Sequence, residues 1–160
     1  MKKIGLGIAA VFLIVVVSGF VLSQLQGNAA DSAKVGDCAR ITGVADSPKY
    51  QAMPCESDQA NVKIAKILPF NDKACPSGGT EYSTYTGEAT FCLMPNFAEG
   101  SCYGQDRESG IAKVDCKTPN AVRVAKVVNG STDAASCGKA RSARFPEPAV
   151  TFCLERGDVR

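Results

Sequence analysis

The placement of cysteines constrains this chain more than any other feature. All eight, Cys38, Cys55, Cys75, Cys92, Cys102, Cys116, Cys137 and Cys153, fall beyond residue 37 of 160 residues that contain no histidine. Their separations are 17, 20 and 17, then 14, 21 and 16. An even count, in a chain whose aromatic fraction is 7% with no Trp, reads as a disulfide framework reinforcing lean hydrophobic cores. With no histidine and no closely spaced cysteine pair, neither a zinc site nor thioredoxin-type redox chemistry is expected, and no metal or cofactor is assigned.

Two sequence blocks repeat in step with the cysteines. Val62-Lys63-Ile64-Ala65-Lys66-Ile67 returns as Val122-Arg123-Val124-Ala125-Lys126-Val127, and Thr90-Phe91-Cys92-Leu93 returns unchanged as Thr151-Phe152-Cys153-Leu154. The agreement predicts two tandem modules of one fold, residues 35–97 and 98–160, separated by the short Pro95–Gly100 segment and packed against each other. Alternation of β-branched and basic residues predicts a strand at each first block, with Val62, Ile64, Val122 and Val124 inward and Lys63 and Arg123 toward solvent. The phase slips after Ala-Lys, which fits a bulge or the end of the strand. Pro69 and Asn129-Gly130 terminate these strands, and the latter outweighs the glycosylation pattern that Asn129-Gly130-Ser131 also matches. The segments after Cys75 and Cys137 are less regular and are expected to hold a short helix, making each module a small α+β, mainly β, unit.

Four cysteines per module leave more than one pairing open. In both copies, however, the first two cysteines are equidistant from a turn signal, Asp46-Ser47-Pro48 or Ser109-Gly110, as at the open end of a hairpin. First-to-second and third-to-fourth pairing is therefore favoured.

Ahead of the modules, Ile4 to Leu22 is an uncharged run preceded by Lys2 and Lys3. As a helix it would be about 28 Å long, close to bilayer thickness. It exceeds the apolar core of a signal peptide, roughly 7–15 residues, and Asn28-Ala29-Ala30 is a poor cleavage site. The expected organisation is a transmembrane anchor over residues 1–22, a polar tether over 23–34, and everything beyond on the extracytoplasmic side. The membrane is thus one expected partner, through residues 4–22.

Apart from the two anchor lysines, 16 Lys and Arg balance 16 Asp and Glu, which argues against nucleic-acid binding. The second half is slightly more basic, and Lys139, Arg141, Arg144 and Arg156 form a cluster whose ordinary role is a solvated face and whose functional role would be an anion or lipid-headgroup site. Without histidine the usual triads are excluded. Asp37, Glu56, Asp58 and Asp115 lie beside cysteines or turns, where carboxylates cap backbone, so no catalytic residue is assigned. Of the aromatics, Tyr82, Tyr85, Tyr103, Phe97 and Phe145 are expected mostly in the core or between the modules. The copies differ most between their third and fourth cysteines, so any specialised contact is expected there.

The frame of Val35-Gly36-Asp37-Cys38, the Val-Lys-Ile-Ala-Lys strand, Cys75-Pro76-Ser77-Gly78 and Phe91-Cys92-Leu93 resembles the LppU family of small actinobacterial envelope proteins and, more distantly, the septum-formation type of exported domain. The resemblance spans residues 35 to 155, implies a membrane-attached extracytoplasmic protein, and brings no catalytic residues with it. Lipoprotein members carry a lipidated cysteine directly after the signal segment. Here Lys34-Val35-Gly36-Asp37 precedes the first cysteine, so attachment would run through the apolar segment itself. The function expected is a non-enzymatic module that binds another envelope protein or a wall component; the alternative is a minor exported hydrolase or a thiol-linked redox protein.

Overall fold

The computed structural model describes residues 32–43 and 47–157. The anchor predicted over residues 1–22 and nearly all of the tether lie outside these. Among the described residues no helix is long and apolar enough to cross a membrane. Ten strands are formed: β1 (Cys38–Thr42), β2 (Lys49–Met53), β3 (Val62–Leu68), β4 (Ser83–Thr86), β5 (Thr90–Pro95), β6 (Cys102–Asp106), β7 (Gly110–Val114), β8 (Val122–Asn129), β9 (Arg141–Pro146) and β10 (Ala149–Arg156). They make two five-stranded antiparallel sheets, β2-β1-β3-β5-β4 and β7-β6-β8-β10-β9, the same order in each copy.

The expected fold class, a transmembrane helix followed by two α+β modules, is corrected to two all-β modules. Among the described residues there is no α-helix, only a 3-10 turn at Ala134–Cys137. In the first module the segment after Cys75 holds Pro76, Gly78 and Gly79 and no apolar repeat that could make one helical face worth burying. In the second, the Asp133 carboxylate caps the turn by accepting the Ala135 N–H at 2.9 Å, and Gly138, at φ 58°, ends it within four residues.

Register repeats as faithfully as order. Val62 faces Ala39 and Pro95 as Val122 faces Tyr103 and Arg156, and Ile64 faces Leu93 as Val124 faces Leu154. Both ladders then skip one residue, Ala65 in β3 and Ala125 in β8, before resuming at Lys66 with Cys92 and Lys126 with Cys153. The phase slip is thus a bulge in both copies. Gly36 and Gly100, each at positive φ, donate to the carbonyls of Ile64 and Val124 at 2.8 and 2.7 Å, and the chain needs glycine there to turn into the first strand.

All eight cysteines are bonded: Cys38 to Cys55, Cys75 to Cys92, Cys102 to Cys116 and Cys137 to Cys153. The first bond of each copy closes a hairpin (β1–β2 or β6–β7), and the second pins the irregular segment to an interior strand, β5 or β10. That is the pairing favoured by the turn signals. Loops of 14 to 17 residues make each bond worth about 3 kcal/mol in the chain-entropy view.

The modules share one core, reached through opposite faces. Side chains alternate across a strand, so Phe91 and Leu93 define a front of the first sheet and Cys92 and Met94 its back. The equivalents in β10 are Phe152 and Leu154 in front, Cys153 and Glu155 behind. Leu68, Tyr82, Cys92 and Met94 come from the back of the first module; Tyr103, Val124, Phe145, Val150 and Phe152 come from the front of the second. Phe97, in the link between them, sits 5.2 Å from Phe152 and 4.6 Å from Tyr103 by ring centroids. Tyr82 meets Phe145 edge-on at 5.1 Å, its hydroxyl donating to the Glu147 carbonyl at 2.9 Å and accepting the Glu147 N–H at 3.0 Å. Thr80 exchanges two bonds with the backbone of Arg144, at 2.6 and 2.9 Å. Beside it, Gly79 is needed for close approach: a Cβ there would lie 2.3 Å from the Arg144 carbonyl oxygen. The specialised contact expected between the third and fourth cysteines is therefore this junction.

Candidate functional site

A cleft of about 620 Å³ opens at one end of the second sheet. Its walls are Asn120, Ala121 and Val122 entering β8, Lys139, Ala140 and Arg141 entering β9, and Leu154, Glu155 and Arg156 leaving β10. The sheet order sets these three strands side by side, so three chain segments far apart in sequence reach the same end. Val122, Arg141, Leu154 and Arg156 share the front face, through the pairs Val122 with Arg156 and Arg141 with Leu154. The lining combines apolar Ala121, Val122, Ala140 and Leu154 with basic Lys139, Arg141 and Arg156; Glu155, whose side chain points behind the sheet, is the one acidic residue of the lining among the described residues. The volume is in the range of small-ligand clefts.

This cleft explains a second correction. Ile64 and Val124 are fully buried and Val62 is half-buried, but Val122, expected inward, is 38% exposed. Its ladder partner is the exposed Arg156, where Val62 has the half-buried Pro95.

Register identifies the same cleft in the first module. Asn61, Val62, Ser83, Leu93, Met94 and Pro95 line a groove of about 470 Å³ and correspond to Ala121, Val122, Arg141, Leu154, Glu155 and Arg156. Two differences separate the copies. Among the described residues the first groove has no charged lining residue. It also has, among them, a wall that the second lacks, the β6–β7 turn at Ser109, Gly110 and Ile111. That turn is held by the Asn61 amide, which donates to the Ser109 carbonyl at 3.0 Å while also bonding the backbone N–H and carbonyl of Ile41 at 2.8 and 3.0 Å. Asp106 shapes the turn by accepting the Ser109 hydroxyl and backbone N–H, each at 2.7 Å, and these bonds, with Arg40 nearby, lower its pKa.

The structure brings together three of the four cations grouped in the sequence. Arg144, three residues along the strand from Arg141, points to the other face and lies against Thr80. The apolar floor, Val122 and Leu154, was missed because both positions look like ordinary core. Asp37 and Asp115 accept backbone N–H groups of Lys34 and Lys117 at 2.9 and 2.8 Å, and Asp58 pairs with Lys113 at 2.7 Å, crossing between the modules. Glu56 is exposed. Among the described residues no group of three or more metal-ligating side chains converges. Elsewhere on the first module, Tyr50, Tyr85 and Phe91 cluster in front, Tyr50 lying 5.5 Å from each of the other two rings. The Tyr50 hydroxyl is buried without a partner among the described residues, and burial, then Asp37 and Tyr85, raises its pKa.

Comparison with protein-family models, with curated proteins and with solved structures returns no match, and the LppU-like resemblance gains no support from them.

Proposed function

We propose that this chain is a non-enzymatic binding protein of the cell envelope, held at the membrane through residues 4–22, that presents the cleft of its second module to an anionic group on another envelope component. The single observation carrying the reading is the difference between the two equivalent grooves. Among the described residues the first has no charged lining and is walled by the β6–β7 turn; at the same ladder positions the second has Arg141 for Ser83 and Arg156 for Pro95, and no such wall. Two guanidiniums over an apolar floor favour a carboxylate or phosphate attached to something apolar. Four disulfides support an oxidising, extracytoplasmic compartment. With every cysteine bonded, the thiol-linked redox alternative would need one of the four disulfides to be open to a partner's thiolate.

The test is photo-cross-linking in intact cells, with p-benzoylphenylalanine placed at Val122 in the cleft or at Lys126 on the exposed back of the same sheet. A discrete adduct is expected at 122 only, reduced at least about fivefold when Arg141 and Arg156 are both changed to Ser. Equal labelling at both positions, or none at 122, rejects the cleft as the binding site.

A further inference from the structure

We infer that the occupant of the second-module cleft is an acidic turn at the tip of a β-hairpin in a partner protein. This rests on the reading above and narrows it to one class of ligand. The warrant is internal to the molecule. The equivalent groove of the first module already has a hairpin tip against it, the Asp106–Gly110 turn between β6 and β7, with Ser109, Gly110 and Ile111 lining the groove and the Ser109 carbonyl bonded to Asn61. A turn is the right shape for the end of a sheet, because it presents backbone carbonyls and one or two side chains without needing a ladder of its own.

The second cleft differs in what it asks of such a turn. Asn61, which serves the first groove as donor, has Ala121 as its counterpart, so the neutral carbonyl contact is lost. In its place are Arg141 and Arg156 on the face of the cleft, with Lys139 at the entrance to β9. Guanidiniums bind carboxylates through paired N–H groups, so the complementary turn carries Asp or Glu. The apolar floor of Val122, Leu154, Ala121 and Ala140 asks in addition for an apolar side chain beside the carboxylates, as Ile111 follows Ser109-Gly110 in the internal example. A bare phosphate would satisfy the rim and leave the floor wet.

The molecule itself supplies the probe. The hairpin of residues 102–116 is closed by the Cys102–Cys116 bond. A synthetic peptide of that sequence, oxidised, fluorescently labelled and carrying Arg107→Glu to make the turn acidic, is titrated by anisotropy into the full chain in neutral detergent. The contact is mapped by amide chemical shifts at Ala121, Val122, Ala140 and Leu154. Saturable binding that perturbs those amides is expected, weakened about tenfold by Arg141→Ser with Arg156→Gln, and likewise weakened by raising salt. A companion peptide with Arg107→Gln and Glu108→Gln, keeping the turn-shaping Asp106, is expected to bind about tenfold more weakly than the acidic one; equal binding of the two overturns the inference. Inorganic phosphate and vesicles containing anionic phospholipid are the other arms. If either binds in an Arg141-dependent way and the acidic peptide does not, the turn is wrong while the anionic cleft stands. If nothing binds, both readings fall.

Discussion

The two modules share a strand order, a register and a bulge, yet they meet back to front. The first contributes Leu68, Cys92 and Met94 to the common core; the matching positions of the second, Val128, Cys153 and Glu155, lie outside it. The backbone plan is set by signals both copies keep: turn residues, cysteine positions and the extra alanine. Which face becomes adhesive is set by a few side chains that do not change the ladder at all. A fold and its associations are therefore separable properties of one sequence pattern.

The disulfides give the largest test of that asymmetry. Replacing Cys75 and Cys92 by Ala removes about 3 kcal/mol of loop constraint and leaves a hole in the shared core, so a total near 4–5 kcal/mol is expected in urea unfolding. Cys137 and Cys153 close a loop of almost the same length; Cys153 is itself buried but faces no second module, so their removal should cost less, about 3–4 kcal/mol. Equal losses would mean that the two faces are equally packed.

Next comes one ladder position compared across the copies. Met94 is 5% exposed in the shared core, so Met94→Ala should cost about 3 kcal/mol, whereas Glu155→Ala should stay within about 0.5 kcal/mol. A large effect at Glu155 would break the comparison outright.

Tyr82→Phe is a smaller change, expected at about 1–2 kcal/mol, because it strips the Glu147 backbone of both its partners. It also has a pH signature. Burial is the main reason the Tyr82 pKa is raised, so the fold favours the neutral phenol. The stabilisation is complete below the unfolded tyrosine value of about 10 and is lost as pH rises through the higher folded value. Wild-type stability should therefore fall at alkaline pH, and Tyr82→Phe should flatten part of that fall; Tyr50, raised in the same direction, accounts for more of it. With no histidine, little change is expected between about pH 6 and 8.

The smallest effect is that of the Asp58–Lys113 ion pair, one of two that bridge the modules among the described residues, the other joining Lys66 to Glu147 at 2.9 Å. A double-mutant cycle on Asp58 and Lys113 should give under about 1 kcal/mol, shrinking with salt, since both side chains are well exposed. A larger coupling would give this link a share of the junction that the apolar core is taken to hold.

Much of this was legible in advance for local reasons. Equidistant turn signals fix which cysteines can meet, and adjacent Ile67-Leu68 and Val127-Val128 betray a ladder that changes phase. The helix expected after Cys75 and Cys137 failed because nothing in those segments gave a helix a face to bury. The exchange of faces could not be seen locally at all: Thr90-Phe91-Cys92-Leu93 and Thr151-Phe152-Cys153-Leu154 are identical, but Phe91 packs with Tyr50 and Tyr85 while Phe152 packs with Phe97 and Phe145. Identical local sequence cannot encode different surroundings. Arg144 was grouped with Arg141 by proximity along the chain, although in a strand residues three apart point to opposite sides.

Back-to-front contact has a consequence for assembly. It is heterologous: the surface used by one unit differs from the surface used by its neighbour, so identical units joined this way go on adding unless the rotation happens to close a ring. A lone module with both faces adhesive would be a seed for fibres. Joining two copies in one chain, with Ala140 and Glu155 where the first copy has Tyr82 and Met94, gives the series a last member whose back offers the next unit nothing to hold. Among the described residues the repeat thus ends after two layers, on a back face that carries Ala140 and Glu155.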